Sequence, residues 1–420
     1  MLLSAFTPTH KPKFLIDLWD TIKIQEGNWE WVIVYNGSHA KRNFSNFSAK
    51  IVDPRVRHLI FQDVTEKKIG TLKRWACGQC EGAILIEVDH DDLLSEDCFS
   101  ELEQAFSDPE VGFAYSDFCE FYDETWESQI YGKNSGWETY EVPFEDKTLI
   151  AHKSFPPDAR SVCQIEFAPN HVRAWRKDVY DKMGGHADLS AGDDHELVCR
   201  TYLETKMKHI QKPLYFYRRL KDQNNSYLKR YKEIRIQEAA NRNKYIYKLM
   251  ERWCELNDLK KIDLGAAHGK PEGFLGVDII EGATDFTCDV TEGLPFDDNS
   301  VGLIRAVDFM EHIPDKIKLI NEIYRVLAPG GWLMSITPST DGRGAFQDPT
   351  HVAFYNQNSF WYYTKKSSQK FVDGLDCRFQ AARLFTSHPS KWHEQHKISY
   401  VYADLVAIKE GYRPPGIVEI

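Results

Sequence analysis

Residues 81–94 read EGAILIEVDHDDLL. A short apolar run, Ala83 to Val88, ends in three carboxylates, Asp89, Asp91 and Asp92, with His90 among them. A brief run of apolar residues following a glycine reads as a strand. Carboxylates crowded at its end repel one another unless something neutralises them. One reading is a hard divalent cation, Mg²⁺ or Mn²⁺, which favours oxygen ligands. The other is a solvated acidic turn in which Asp92 or Ser95 caps the next helix. In doubly wound sheets ligands bind outside the carboxyl ends of the strands. Mg²⁺ usually takes one or two protein carboxylates and leaves its other positions to water and phosphates. A metal–diphosphate site is therefore a natural occupant of this strand end.

The flanking sequence supports a sheet of that kind. Leu2 to Phe6 reads as a strand broken by Thr7-Pro8-Thr9-His10, and Phe14, Leu15, Leu18, Trp19 and Ile22 then recur at helical spacing. WEWVIVYNGS (29–38) is a second strand stopped by Asn36-Gly37, RHLIF (57–61) a third, and Ile69 to Cys80 suits a helix. Strands alternating with helices imply a mainly parallel sheet with crossover helices. Residues 226–258 have no Pro or Gly and are rich in helix formers, so they read as a helical connector. A second α/β pattern follows: KKIDLGAAHGK (260–270), a strand and a glycine turn leading into a helix; GFLGVDI (273–279), a strand; VGLIRAVDFMEHI (301–313), a strand running into a helix; and DKIKLINEIYRVLAPGG (315–331), a helix closed by Pro and Gly before the strand WLMSITP (332–338).

The chain of 420 residues suits two or three domains, and 42% hydrophobic and 13% aromatic residues suit a globular protein. A formal net charge of −11 argues against nonspecific nucleic-acid binding, which needs a basic surface. Nine scattered cysteines are expected to be reduced and buried, with Cys77 and Cys80 as helix residues rather than a redox pair. No signal peptide and no membrane span are expected, which points to a cytoplasmic protein. His393 and His396 are three apart, not four, so HEQH is no zinc motif.

Residues 1–225 resemble the family 2 glycosyltransferases of the GT-A nucleotide-sugar-binding fold. The resemblance is carried by FTPTH (6–10), VIVYNGS (32–38), EGAILIEVDHDDLL and GGHADLSAGDDHELVCR (184–200). It implies that Asp89-His90-Asp91 is the element that binds metal and donor diphosphate, with Asp91 and Asp89 as metal ligands. Thr9, Asn36, Lys73, Asp89, His90 and Asp91 would line the nucleotide-sugar site. Asn36 stands where an aspartate is common, and Leu220 where a histidine is common near the diphosphate. AGDDHELVCR (191–200) matches the family's acidic catalytic element, which would make Asp194 the general base and Asp193 its support or an acceptor ligand. A base is needed because a sugar hydroxyl is a weak nucleophile at neutral pH. APNHVRAWR (168–176) falls on the acceptor side, where Trp175 either stacks on a sugar or belongs to the core.

Residues 259–365 resemble the class I S-adenosylmethionine-dependent methyltransferases, through IDLGAAHGK (262–270), DFMEHIPD (308–315) and RVLAPGG (325–331). That resemblance implies that Gly265, Ala267 and Gly269 line the cofactor's methionine part, Asp278 holds its ribose and Asp289 meets the adenine. The family's second glycine is replaced at Ala266 or Ala267. His351 is a candidate base for O-methylation, or a loop histidine that orders a lid.

The fold class expected is therefore α/β, with two doubly wound domains, 1–225 and 259–420, joined by the connector. The function expected is a bifunctional transferase. The first domain would pass a sugar from a nucleotide-diphosphate donor to a hydroxyl acceptor with inversion, using Mn²⁺ or Mg²⁺. The second would pass a methyl group from S-adenosyl-L-methionine to the same glycan. The rivals are a glycosyltransferase with a non-catalytic second domain, a phage enzyme glycosylating modified DNA bases, and a scaffold built on two degenerate folds.

Overall fold

The apolar run before the acidic cluster is a strand, Ile84–Glu87, with every residue buried. Ile84 and Ile86 pack into one core, with Leu3, Leu15, Leu18 and Trp31, while Leu85 packs into another, with Phe6, Val32, Phe113 and Trp175. Both faces of the strand are covered, which is why its sequence does not alternate.

The computed structural model describes residues 1–62, 68–164, 168–220, 226–267, 269–282 and 284–418. Residue 225, where the first domain was expected to end, lies outside them, as does His268 of the glycine turn. The chain forms two compact units, Met1–Leu249 and Met250–Ile420.

The strands of the first unit are β1 (Leu2–Thr9), β2 (Asn28–Tyr35), β3 (Val56–Ile60), β4 (Ile84–Glu87), β5 (Leu93–Leu94), β6 (Val111–Tyr122), β7 (Thr139–Phe144), β8 (Lys147–His152), β9 (Arg173–Arg176) and β10 (Lys206–Arg219). They form one sheet in the order β3-β2-β1-β4-β9-β6-β10-β5, with the β7–β8 hairpin attached to β6. The pairs among β1 to β4 are parallel, and helices Leu15–Ile22, Ala40–Ser48 and Ile69–Gly78 connect them. From β9 onward the sheet is mixed, because β9 runs antiparallel to both β4 and β6. β1 does not break at Thr7 but continues to Thr9. Beyond Phe6 it pairs only with β2, so the missing N–H of Pro8 faces an open edge.

Helix Ser226–Leu256 is continuous, and the division between the units falls inside it rather than at its ends. Its first part belongs to the first unit by its contacts: Asn241 Nδ2 donates to Gly192 O at 2.9 Å and Tyr245 Oη to Glu196 Oε1 at 2.5 Å.

The second unit contains β11 (Lys260–Leu264), β12 (Leu275–Asp278), β13 (Phe286–Thr287), β14 (Val301–Val307), β15 (Leu327–Pro338), β16 (Phe379–Ser387) and β17 (Tyr400–Ala407). Their order is β13-β12-β11-β14-β15-β17-β16, parallel as far as β15, with β17 antiparallel to β15 and β16. The order reverses between β11 and β14, the switch point at which such sheets bind ligands. Three local expectations fail here. No helix is described between β11 and β12, because ten residues containing three glycines and Pro271 leave no room for one. After β14 the chain makes only a 3₁₀ turn, Met310–His312. Helix Lys316–Val326 ends before the Pro-Gly-Gly, which lies inside β15 at a break in its register with β14. Among the described residues no helix is long and apolar enough to cross a membrane.

Candidate functional site

Thr9 ends β1, Asn36 follows β2 and Asp89 to Asp91 follow β4, so parallel pairing sets them along one edge of the sheet. Asn36 N donates to Thr9 O at 3.0 Å. Thr9 is buried and its Oγ1 has no hydrogen-bond partner. The rings of His10 and His90 meet edge to face, 5.7 Å between centroids. Asp92 turns inward: it accepts from Tyr215 Oη at 2.9 Å and from Arg218 N at 2.7 Å. Arg218 Nε also donates to the backbone oxygen of Asp91 at 2.8 Å. The capping reading of Asp92 and Ser95 is therefore overturned. Asp97 occupies the N-cap of helix Cys98–Ala105 without a side-chain cap bond, and Ser95 Oγ donates to Asp97.

The three carboxylates thus separate in role, and they do not bring three ligand atoms within 4.8 Å of one another. Asp92 is held inside, and burial with Asp91 and Asp89 beside it pushes its carboxyl well up. Asp91 keeps 41% of its side chain exposed. Burial raises its pKa, His90 opposes and Asp89 adds to the rise. Two partly exposed carboxylates, Asp89 and Asp91, fit a divalent oxygen-seeking ion that would also bind phosphate.

Behind this rim lies a buried ionic network that begins at Glu87, the last residue of β4. Lys73 Nζ is 2.5 Å from Glu87 and 3.8 Å from Asp193. Arg173 Nη1 is 3.8 Å from Glu87 and donates to Asp194 Oδ2 at 3.1 Å. His171 Nε2 lies 3.4 Å from Glu87, while its Nδ1 meets Tyr217 Oη at 2.7 Å. Lys73 reaches the network because helix Ile69–Gly78 lies against the 187–189 segment. Gly70 N donates to Leu189 O, and a Cβ on Gly70 would stand 1.8 Å from Ala187 O. Burial alone would raise Glu87, but Lys73, His171 and Arg173 outweigh it and hold its pKa well below the ordinary value.

Asp193 and Asp194 open helix Asp193–Glu204 after Gly192, whose φ of +66° requires glycine there. Asp193 is nearly inaccessible, whereas Asp194 keeps 29% of its side chain exposed. Burial raises Asp193, Lys73 opposes, and Asp194 and Glu87 add to the rise. Burial also acts on Asp194, but Arg173 and Lys73 overcome it and hold the carboxylate ionised. Only Asp194 can reach both a solvent-borne hydroxyl and the network.

Trp175 is fully buried and donates to Thr201 Oγ1 at 3.1 Å, so it belongs to the core and no sugar stacks on it. Cys77 and Cys80 are buried in and just after helix Ile69–Gly78, and burial pushes the Cys80 thiol up to about 12. All nine cysteines are free. The sequence reading missed Glu87, His171, Arg173 and His186, whose buried Nε2 lies 3.9 Å from Asp193. The first lies inside the quoted strand and the next two inside APNHVRAWR, where a charged residue in an apolar stretch was the available signal.

In the second unit Gly265 follows β11 with φ +70°, and a Cβ there would stand 2.6 Å from the Phe309 ring. Ala267 N donates to Asp278 Oδ2 at 2.8 Å, and Ile280 N to Asp278 Oδ1 at 3.0 Å. The turn after β11 and the end of β12 are thus tied together, and Gly269 opens onto free space. Such a cradle fits a ligand lying against the backbone of the turn. Asp289 is exposed on the loop after β13, its carboxylate taken by Thr291 N and Oγ1 at 2.9 and 2.6 Å. His351 lies half-buried, with Nδ1 on Ala345 O at 3.0 Å.

Residues 263–335 match the family model described as a methyltransferase domain. Among solved structures the chain is similar to TarS 1-349 of S. aureus in complex with UDP-GlcNAc, at 12% identity and a TM-score of 0.42 over 61% of this chain and 73% of that one. It is also similar to the mannosyltransferase PcManGT from Pyrobaculum calidifontis in complex with GDP-Man and Mn²⁺, at 14% identity and a TM-score of 0.38 over 57% and 63%. No curated protein matched the sequence.

Proposed function

We propose that the first unit transfers a sugar, with inversion, from a nucleotide-diphosphate donor to a hydroxyl acceptor, and that the second is a methyltransferase acting on the same glycan. The observation that carries the first part is the pairing of two partly exposed carboxylates after β4, Asp89 and Asp91, with a partly exposed carboxylate, Asp194, ion-paired to the buried Arg173. Asp91 with Asp89 would hold Mn²⁺ or Mg²⁺, which supplies charge neutralisation for the donor diphosphate. Thr9, whose buried hydroxyl lacks a partner, and Asn36 would bind the nucleoside side of the donor, and His90 would lie at its diphosphate. Asp194 would take the acceptor proton. Arg173 keeps it ionised beforehand, and Asp193 and Lys73 hold its backbone and field in place. Lys73, assigned to the donor site from the sequence, sits with only 13% of its side chain exposed and acts through Glu87.

In the second unit Gly265, Ala267 and Gly269 would receive the methionine part of S-adenosylmethionine, and Asp278 its ribose, with Asp289 at the adenine edge. The bound cofactor supplies an electrophilic methyl group. A second reading, a non-catalytic domain that binds acceptor or partner instead of cofactor, is favoured by one observation: the turn after β11 runs to β12 without a described helix. Titration calorimetry with S-adenosylhomocysteine separates the two, since a silent titration removes the methyltransferase reading.

The first part is tested with Asp91→Asn. Donor turnover should fall by at least about a hundredfold, because the metal site loses one of its few protein ligands. Circular dichroism should be unchanged. Full turnover in that variant would remove the metal assignment.

A further inference from the structure

DFMEHIPD (308–315) contributes to a second cluster that neither proposed chemistry uses. Glu311 and His312 lie in the 3₁₀ turn at the carboxyl end of β14. His351 comes from the loop after helix Gly344–Gln347. One ligand atom from each of the three lies within 4.8 Å of the others, and no other group of this kind occurs among the described residues.

The surrounding hydrogen bonds prepare these atoms. His351 Nδ1 meets Ala345 O at 3.0 Å and His312 Nδ1 meets Thr350 O at 3.2 Å. A carbonyl only accepts, so both Nδ1 atoms carry the proton and both Nε2 atoms carry a lone pair. Glu311 is 2% exposed. Its Oε2 accepts from Thr337 Oγ1 at 2.6 Å, while its Oε1 is buried without any partner. A buried bare carboxylate oxygen is costly unless a cation or donor completes it. The backbone is fixed as well, since Val352 N and Ala353 N both donate to Glu311 O at 2.9 Å. The two rings stand edge to face, 5.0 Å apart, and both histidines are partly exposed, which leaves positions open toward solvent.

We propose that Glu311, His312 and His351 bind one divalent first-row transition ion. Two imidazoles and one carboxylate suit Zn²⁺, Fe²⁺ or Mn²⁺ and disfavour Mg²⁺ and Ca²⁺, which prefer all-oxygen shells. A tetrahedral ion with bonds of ~2.1 Å holds its ligands about 3.4 Å apart, so side-chain rotation is enough to close the site. Ala345 O, Thr350 O and Thr337 Oγ1 are its outer partners. As a ligand, His351 is no free base. The cluster lies at the same carboxyl edge of the sheet as Gly265 and Asp278, because β11, β12 and β14 are parallel. An ion there would orient an acceptor hydroxyl, a role that rests on the methyltransferase reading, whereas the site itself does not.

The test uses the full chain carrying Asp89→Asn and Asp91→Asn, stripped with chelator and dialysed. Zn²⁺ is titrated by calorimetry, and Co²⁺ by its visible absorption. One equivalent of Zn²⁺ is expected, weakened at least about a hundredfold by His351→Ala or Glu311→Gln and about tenfold by Thr337→Val. Mg²⁺ should not compete. Should Glu311→Gln fail to fold, His351→Ala, on a half-buried loop, decides. No Zn²⁺ uptake, or uptake unchanged in His351→Ala, overturns the assignment. A separate titration with S-adenosylhomocysteine reports on the methyltransferase reading, so either can fail alone.

Discussion

Replacing Asp193 by Asn probes the charge balance of the buried network. Three carboxylates, Glu87, Asp193 and Asp194, face two cations, Lys73 and Arg173. Lys73 is 2.5 Å from Glu87 but 3.8 Å from Asp193, and Arg173 is 3.1 Å from Asp194. Asp193 is left with the weakest partner, and burial holds its pKa above the ordinary carboxylate value. A carboxyl raised in the folded state leaves that state less stable as pH rises through the raised value. A tenfold difference in proton affinity between the folded and unfolded chains is worth ~1.4 kcal/mol. Asn keeps the shape and cannot ionise, so its advantage over the wild type grows with pH. Between pH 5 and pH 8.5 the gain should be about 1–3 kcal/mol, less ~0.3–1 kcal/mol for a charge lost from a helix N-terminus. Asp194→Asn should act in the opposite direction. It strips the buried Arg173 of its nearest carboxylate and should cost about 1.5–3 kcal/mol. Hydrogen exchange of peptides within 173–204, measured in urea at both pH values, reads the first unit apart from the second. An Asp193→Asn chain less stable than Asp194→Asn, or one whose difference from the wild type does not change with pH, would refute the reasoning.

Thr9→Val removes a buried hydroxyl that has no partner, so stability should be unchanged or rise by up to ~1 kcal/mol while nucleotide binding weakens; equal nucleotide affinity would take Thr9 out of the site. Gly265→Ala would place a Cβ 2.6 Å from Phe309 at φ +70° and should cost about 1–3 kcal/mol, with weaker S-adenosylhomocysteine binding in calorimetry. Burial pushes His152 and His195 down to about 4 and His186 to about 3. Histidines lowered in the folded state give stability that is present above their unfolded pKa and lost as pH falls through the folded one. These three histidines should therefore withdraw up to ~4 kcal/mol per pH unit from the first unit between about pH 6.5 and 4, offset by up to ~1.4 kcal/mol per pH unit from each of the raised carboxyls Asp193 and Asp92. A flat unfolding midpoint between pH 7 and pH 5 would exclude this.

How far the sequence could be read depended on whether a signal was local. The strand Ile84–Glu87 was legible because a short apolar run covered on both faces is a local pattern. So were β2, β3 and the long helix from Ser226. β9 was not recognised, because Arg173–Arg176 is two apolar residues between arginines and becomes a strand only by pairing with β4 and β6. Pro8 reads as a strand end in the sequence because its tolerance depends on which edge of β1 lacks a neighbour. In the second unit a glycine turn suggested a helix that the short, Pro-containing path to β12 does not form.

The chemistry follows the same division. Asp89, Asp91, Asp193 and Asp194 stand out as clusters in the sequence, and the structure sets each pair at an element terminus. Their relative roles came only from partners far along the chain. Asp92 is separated from Asp91 in function by Tyr215 and Arg218, more than a hundred residues away. Asp194 is separated from Asp193 by Arg173 on one side and by access to solvent on the other. Asp193 and Asp194, adjacent acids with identical side chains, are thereby shifted in opposite directions, the first up by burial and the second down by Arg173 and Lys73. The same logic makes Glu311 and His312 readable only once Thr337, Thr350 and Ala345 are placed. The hydrogen bonds, and not the residue types, leave one carboxylate oxygen and two imidazole nitrogens free.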